Sequence, residues 1–268
     1  MTILRDRANM SPERIRIAEL AKENKERRFS SIAHLLTGEA LQDAFEALRK
    51  DASAGVDGVT YREYAVEVRD NLHKLHDQLK TEKYRAQPLR RIYIPKEDGR
   101  QRPISIPSLE DKIVQKAAAD LLSLIWEQDF LDCSYGFRPG RGPHDALDEV
   151  GRVLNTRPIS TVLEADITGY FDAIVRSALI EMIEKRISDG ALLRLIGKWI
   201  NIGVIEEGRL LLSETGTGQG QVISPLLANV YLHYVLDDWF ETVVKPRLRG
   251  EAYAIRFADD RAPRARVA

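Results

Sequence analysis

Ala252-Tyr253-Ala254-Ile255-Arg256-Phe257-Ala258-Asp259-Asp260 is the stretch from which the fold is read. Tyr253, Ile255 and Phe257 alternate with Ala252, Ala254 and Arg256, the period-two pattern of a strand with one apolar face. The strand delivers two adjacent carboxylates. Upstream, Thr161-Val162-Leu163-Glu164-Ala165-Asp166 is also strand-like and also ends on an aspartate. If the two strands are neighbours in one sheet, Asp166, Asp259 and Asp260 converge at one end of it. Three crowded carboxylates repel one another unless cations sit between them, and oxygen-only ligands suit magnesium. Such a site can hold two metals about 3.5–4 Å apart for an in-line phosphoryl displacement. The plainer alternative is a solvated turn, where aspartate supplies local side-chain hydrogen bonds.

A chain of 268 residues, 44% hydrophobic and 30% charged, has the composition of an ordinary globular protein with one large or two modest domains. The formal charge of −1 gives no global basic signal, so contact with nucleic acid falls to local patches. The single cysteine, Cys133, excludes an intrachain disulfide and fits a reducing compartment. No apolar run is long enough to span a membrane, and residues 1–10 lack the apolar segment of a signal peptide. A cytoplasmic location is expected.

In chain order, Ser11-Pro12-Glu13 opens a polar helix that extends to about Arg28. Leu41, Phe45 and Leu48 share a face of a second helix, and Val68, Leu72, Leu75 and Leu79 of a third. Leu89, Ile92 and Ile94 predict a strand, Asp98-Gly99 a turn, and Ile104-Ser105-Ile106 the returning strand. The stretch from Lys83 to Arg102, which includes this hairpin, carries seven lysines and arginines, among them Lys96 and Arg102. Such a run is either a solvated edge that blocks edge-to-edge pairing or a set of phosphate contacts. A helix is expected from Leu109 to Gln128. The loop Ser134-Tyr135-Gly136-Phe137-Arg138-Pro139-Gly140-Arg141 suits backbone phosphates and base faces, or a merely structural turn. The loop Thr215-Gly216-Thr217-Gly218-Gln219-Gly220-Gln221 precedes a long helix capped by Ser224-Pro225 and bearing Leu226, Val230, Tyr234 and Trp239. His144 and His233 read as packing or surface residues.

The ordered set of these stretches resembles the reverse transcriptases encoded by bacterial group II introns, the intron maturases. The upstream matches are Gly55-Val56-Asp57-Gly58-Val59, Tyr93-Ile94-Pro95-Lys96, Arg102-Pro103-Ile104 and Ile106-Pro107-Ser108-Leu109-Glu110-Asp111. Next come Ser134-Tyr135-Gly136-Phe137-Arg138-Pro139-Gly140 and Asp166-Ile167-Thr168-Gly169-Tyr170-Phe171-Asp172. Gly216-Thr217-Gly218-Gln219-Gly220, Ile223-Ser224-Pro225-Leu226-Leu227-Ala228-Asn229 and Phe257-Ala258-Asp259-Asp260 complete the series. Nine stretches in the family's order are far more specific than any one of them.

The resemblance implies an α+β fold of fingers and palm, with helices packed on an antiparallel palm sheet. It divides the chain into a helical N-terminal extension (1–50), fingers (51–155) and palm (156–260), the last two forming one domain over about 51–260. Asp166, Asp259 and Asp260 match the catalytic carboxylates, and these with the main-chain oxygen of Ile167 match the ligands of two magnesium or manganese ions. Lys96 and Arg102 match the residues that hold the triphosphate, which favours the functional reading of the hairpin. Phe171 matches the side chain that excludes a ribose 2′-hydroxyl, and Gln219 the glutamine lining the nucleotide pocket. The implied partners are an RNA template, a DNA primer, deoxynucleoside triphosphates and group II intron RNA, with no membrane.

Departures accompany the match. The family usually has tyrosine at Phe257, proline at Gly218 and glycine at Gln221, and the added bulk of Gln221 is expected beside the nucleotide pocket. After Asp260 the family continues with a strand and a thumb. Here Arg261-Ala262-Pro263-Arg264-Ala265-Arg266-Val267-Ala268 lacks strand alternation and holds a proline, so residues 261–268 read as an aberrant tail and the thumb as absent. A polymerase weakened by truncation is therefore the expectation, with an inactive RNA-binding maturase remnant as the alternative.

Overall fold

The computed structural model describes residues 10–95, 99, 101–212, 216–258 and 260–261. Helix α1 (Pro12–Glu23) is capped by Ser11, whose Oγ accepts from Arg14 N at 3.4 Å. It stops short of the expected Arg28 because Asn24-Lys25-Glu26-Arg27-Arg28 offers no apolar side chain to bury, and packing rather than propensity sustains most helices. α2 (Gly38–Ala47) starts at Thr37, and α3 (Tyr61–Val66) at a capping box of Thr60 and Glu63. α4 (Val68–Lys80) buries Leu72 and Leu75, as its spacing predicts.

The strands β1 (Leu89–Pro95) and β2 (Gln101–Ile106) form the expected antiparallel hairpin, with Ile94 opposite Arg102. Helices α5 (Leu109–Trp126), α6 (Pro143–Thr156), α7 (Tyr170–Ala173), α8 (Arg176–Glu184) and α9 (Gly190–Ile200) follow. Two further strands, β3 (Val204–Glu206) and β4 (Arg209–Leu211), complete a four-stranded sheet of order β2-β1-β3-β4. β3 runs parallel to β1 and the other pairs are antiparallel. The β3–β4 turn holds Glu207 at φ +48 and Gly208 at φ +76, the paired left-handed conformations of a tight hairpin. α10 (Ser224–Leu232) continues into a wider π turn at His233–Asp237, where Asp238 N donates to His233 O, and into another at Phe240–Val244.

These elements form two compact units. The first comprises Met1–Lys25, Leu124–Tyr170 and Pro225–Ala268, and the second Glu26–Ser123 and Phe171–Ser224. In the second unit Leu75, Leu89, Ile113, Leu121, Leu179, Leu192 and Trp199 are fully buried, and each large side chain contributes about 1.5–3 kcal/mol. Two buried carboxylates hold its non-helical segments. Asp111 accepts from the hydroxyls of Tyr84 and Ser108 and from Gln87 N, fixing the approach to β1 against α5. Asp189 caps α9 through Ala191 N and Leu192 N and accepts from Ile32 N at 2.7 Å and Ala33 N at 2.8 Å. Burial alone would raise the pKa of Asp189, but these four N–H donors outweigh it and hold the carboxyl below its ordinary value. Its stabilisation is thus present above the usual carboxylate range and is lost as pH falls through the depressed pKa.

The first unit contains β5 (Arg256–Phe257) and β6 (Asp260–Arg261), antiparallel, with Phe257 opposite Asp260. The strand is shorter than the alternation from Ala252 predicts, and the stretch from Thr161 to Asp166 shows only single bridge positions at Val162 and Asp166. Val162, Tyr253 and Ile255, from the two stretches, line a mostly apolar cavity of about 430 Å³.

Candidate active site

Arg256 is the hub of the first unit's turn. Its guanidinium is buried and its N–H groups are distributed over four residues. Nε and Nη2 donate to the two oxygens of Asp237 at 2.9 and 2.7 Å, and Nη2 also to Ser134 Oγ at 2.7 Å. Nη1 donates to Asn229 Oδ1 at 3.0 Å and to Ala258 O at 2.9 Å. Arg256 and Asp237 each expose only 2% of their side chains, so the pair is a desolvated, bidentate one. Asn229 turns its other end to Gly136, Nδ2 donating to the carbonyl at 2.8 Å. Backbone bonds from Tyr135 N to Arg256 O and from Arg256 N to Cys133 O lace the same loop to β5.

This network grips Ala258, which stands at φ +56 in the left-handed region. A Cβ added to Gly136 would lie 2.1 Å from Ala258 N, so only glycine admits that backbone. The alternation places Arg256 among the small, outward residues. The structure corrects that reading: the charge turns inward because Asp237 and Asn229 satisfy it.

Asp166 presents an exposed carboxylate from a bridge position. Ile167 follows, then a turn with Gly169 at φ +63, and Tyr170 Oη donates to Ala228 O at 2.7 Å, tethering the turn to α10. Asp259, the side chain of Asp260 and Lys96 lie outside the described residues. Among the described residues no group of three acidic, histidine or cysteine side chains forms a metal cluster. The donors that can be placed, the Asp166 carboxylate and the Ile167 carbonyl, are both oxygen and suit a hard divalent cation.

The second unit brings three of the sequence-predicted residues into one framework. The glycine-rich loop is braced on one side by Gly216 N donating to Ile174 O and Thr217 N to Phe171 O, both at 2.9 Å. On the other side Ser105 N, on β2, donates to Gln219 O at 2.7 Å. Gly216 at φ +82 and Gly220 at φ +110 permit these approaches; a Cβ at Gly220 would lie 2.7 Å from Ser105 O. With its amide oriented to satisfy both ends, the Gln219 oxygen accepts from Arg102 Nε at 3.1 Å and Nη2 at 2.6 Å. Its nitrogen donates to Pro103 O at 3.3 Å. Arg102 is exposed and Phe171 is buried. Gln219 thus aims the fork of Arg102.

Gln221, whose bulk the family match puts near the expected nucleotide pocket, turns its side chain inward. Its side chain is buried: Oε1 accepts from Gln115 Nε2 at 2.9 Å, and Nε2 donates to Trp199 O at 3.1 Å. A Cβ at Gly218 would lie 2.9 Å from Gln221 Nε2 and 2.6 Å from Leu89 Cδ1. The two departures from the family pattern are therefore coupled, because the inward glutamine occupies the space a proline at 218 needs. Gly218→Pro alone should cost about 1–3 kcal/mol by overpacking. Combined with Gln221→Gly it should cost at least about 1 kcal/mol less than the sum of the single changes. Urea unfolding of the four proteins measures the coupling, and strict additivity would show that the sites are independent.

The arginines of the loop at residues 134–141 are structural. Arg138 is bidentate to Glu127, donates to Leu131 O and Ser134 O, and stacks over Phe130 at 5.3 Å. Arg141 pairs with Asp132 and lies over Tyr135. Phe137 is 53% exposed at φ +58. His144 is exposed on α6, and His233 packs edge-on to Phe130, as expected of surface and packing residues.

Residues 94–262 match the family model described as reverse transcriptase (RNA-dependent DNA polymerase). Protein YkfC of Escherichia coli K12 is 40% identical over 183 residues, 67% of this chain and 48% of that protein. The group II intron-encoded protein LtrA of Lactococcus lactis subsp. cremoris is 34% identical over 220 residues, 81% of this chain and 36% of that protein. The chain therefore spans less than half the length of these relatives. Among solved structures, a chain of the partial Cas6-RT-Cas1–Cas2 complex aligns with a TM-score of 0.49 at 23% identity, covering 84% of this chain and 36% of that one.

Proposed function

We propose that this chain, which belongs to the reverse transcriptase (RNA-dependent DNA polymerase) family, extends a DNA primer on an RNA template using deoxynucleoside triphosphates. The observation that carries the reading is the brace in the second unit, where one glycine-rich loop bonds to Phe171 and carries Gln219 onto Arg102. The likeness to LtrA supports a group II intron RNA as a further partner.

Asp166, Asp259 and Asp260, with the carbonyl of Ile167, would hold the divalent cations, magnesium by the hardness of the donors. Bound there, the ions would polarise the primer 3′-hydroxyl and neutralise the leaving pyrophosphate. Arg102, aimed by Gln219, and Lys96 supply fixed positive charge along the triphosphate, where charge spreads as the bond to the leaving group lengthens. Phe171, tied to the loop at Thr217, excludes the 2′-hydroxyl that marks a ribonucleotide.

Primer extension on an RNA template tests this. Magnesium-dependent cDNA is expected from the parent, with Asp166→Asn lowering the rate by about 100-fold or more at unchanged thermal stability. Phe171→Ala should relax discrimination against ribonucleotides more than it slows deoxynucleotide use. A folded parent with no metal-dependent extension would overturn the reading, and unchanged discrimination would make Phe171 a packing residue only.

A further inference from the structure

The second unit holds a cavity of about 580 Å³ that none of Arg102, Phe171 or Gln219 lines. Its apolar lining includes Leu36, Leu79, Ala191 and Leu195, beside the rings of Tyr84, His34 and His76. Its charged lining is Lys80, Arg85, Arg194 and Lys198, with Glu82 the carboxylate among them. A solvated basic edge would be convex, with each charge free in water. Here the charges converge on a concave space. Lys198 Nζ donates to Tyr84 O at 3.0 Å and rides over the Tyr84 ring, and Arg85 Nη1 donates to the carbonyls of Glu82 and Tyr84. These bonds fix the two cations without neutralising either. Burial, then the charges of Arg85 and Arg194, push the Lys198 ammonium below its ordinary pKa, so the cluster is repulsive as it stands.

Glu82 is the one counter-charge, and its backbone is unusual. It stands at φ +57 in the turn that ends α4, a conformation glycine would adopt more easily, and its carboxylate pairs with Arg194. That pair is largely exposed, so an incoming anion can compete with it.

We propose that this cavity is a separate nucleotide site, which takes a phosphate on Lys80, Arg85, Arg194 and Lys198 and a base against the apolar floor. Its volume falls within the range of small-molecule pockets, and the combination of apolar floor and cationic rim suits an aromatic base joined to an anion. The inference does not depend on polymerase chemistry. A free nucleotide and one nucleotide of an RNA strand share this chemistry, and the test separates them.

Binding of AMP is measured by isothermal titration, and of a fluorescein-labelled octauridylate by anisotropy. Both use the full chain and Arg102→Gln, which leaves this cavity intact. Lys80→Glu and Lys198→Gln should each weaken binding by about tenfold, and Glu82→Gln should tighten it about three- to tenfold by removing the competing carboxylate. Lys74→Glu, an exposed position on the same helix outside the cavity, should change affinity less than about twofold. Thermal midpoints of the variants establish that they fold, and Lys80, being exposed, keeps the test valid if Lys198→Gln does not. The pattern with both ligands identifies a free-nucleotide site, and the pattern with octauridylate alone a strand-binding site. The proposal fails if neither ligand saturates, if Lys74→Glu weakens binding as much as Lys80→Glu, or if Glu82→Gln does not tighten it.

Discussion

Replacing Arg256 by methionine should destabilise the first unit by about 3–5 kcal/mol, the cost of leaving a buried carboxylate without its partner. Methionine fills the volume of the stem but donates to none of Asp237, Asn229, Ser134 Oγ or Ala258 O. Urea unfolding of the purified variant gives the number. The double variant Arg256→Met/Asp237→Leu removes both charges and should recover stability to within about 1–2 kcal/mol of the parent. Polymerase turnover should not recover with it. The carbonyl of Ala258 still lacks its donor, and a misplacement of the adjoining carboxylates by about 1 Å costs on the order of 100-fold in rate. The deficit should appear chiefly in kcat, since Arg256 bonds to none of the residues proposed to hold the nucleotide. A stable double variant with parental kcat would reduce Arg256 to a folding residue.

The second large effect is expected at Gly136. The methyl group of Gly136→Ala would fall 2.1 Å from Ala258 N and 2.7 Å from its Cα, and both neighbours are backbone that has no rotamer to yield. Either the loop or the β5–β6 turn must move. We expect a stability loss of about 1–3 kcal/mol, the range for overpacking, and a fall in kcat on the order of 100-fold. Gly151→Ala is the matched control. It lies inside α6 with nothing within 4 Å of the added Cβ, and should stabilise the protein by about 0.5–1 kcal/mol. Equal behaviour of the two alanines would show that the contact at Gly136 relaxes at no cost.

What the sequence made legible was local. The 4-3-4 spacing in α4, the paired strands β1 and β2 and the Ser-Pro start of α10 each depend on neighbours within a few positions, and each appears. Asp98 of the expected turn lies outside the described residues. The β3–β4 hairpin was equally local, marked by Glu207-Gly208 between the apolar pairs Val204-Ile205 and Leu210-Leu211, but its strands are three residues long and escape a pattern that needs four or more. Arg256 shows the other limit. Period-two alternation assigns a side to each residue but cannot see Asp237, 19 positions away on a helix, so a buried cation reads as an exposed one. The same holds for Gln221, whose partner Gln115 is 106 positions distant. Arg102, Phe171 and Gln219, the residues proposed to meet the nucleotide, were singled out only through resemblance, since nothing near Gln219 announces that its amide meets Arg102. Of the three aspartates, only the Asp166 side chain falls within the described residues.

The π turn in the helix after α10 has a consequence for what that helix can tolerate. Asn229 and Asp237 are eight positions apart, yet both reach one guanidinium. An α-helix advances about 100° per residue, which would leave two side chains eight positions apart about 80° out of phase. The wider turn at His233–Asp237 advances less per residue and brings the pair back into register. The helix is in effect indexed by counting. Asp237 apart, side chains within the wide turn can be exchanged without disturbing the alignment. Deleting one residue there restores the ordinary pitch and leaves the pair seven positions apart and only about 20° out of phase, whereas adding one swings Asp237 away from Arg256.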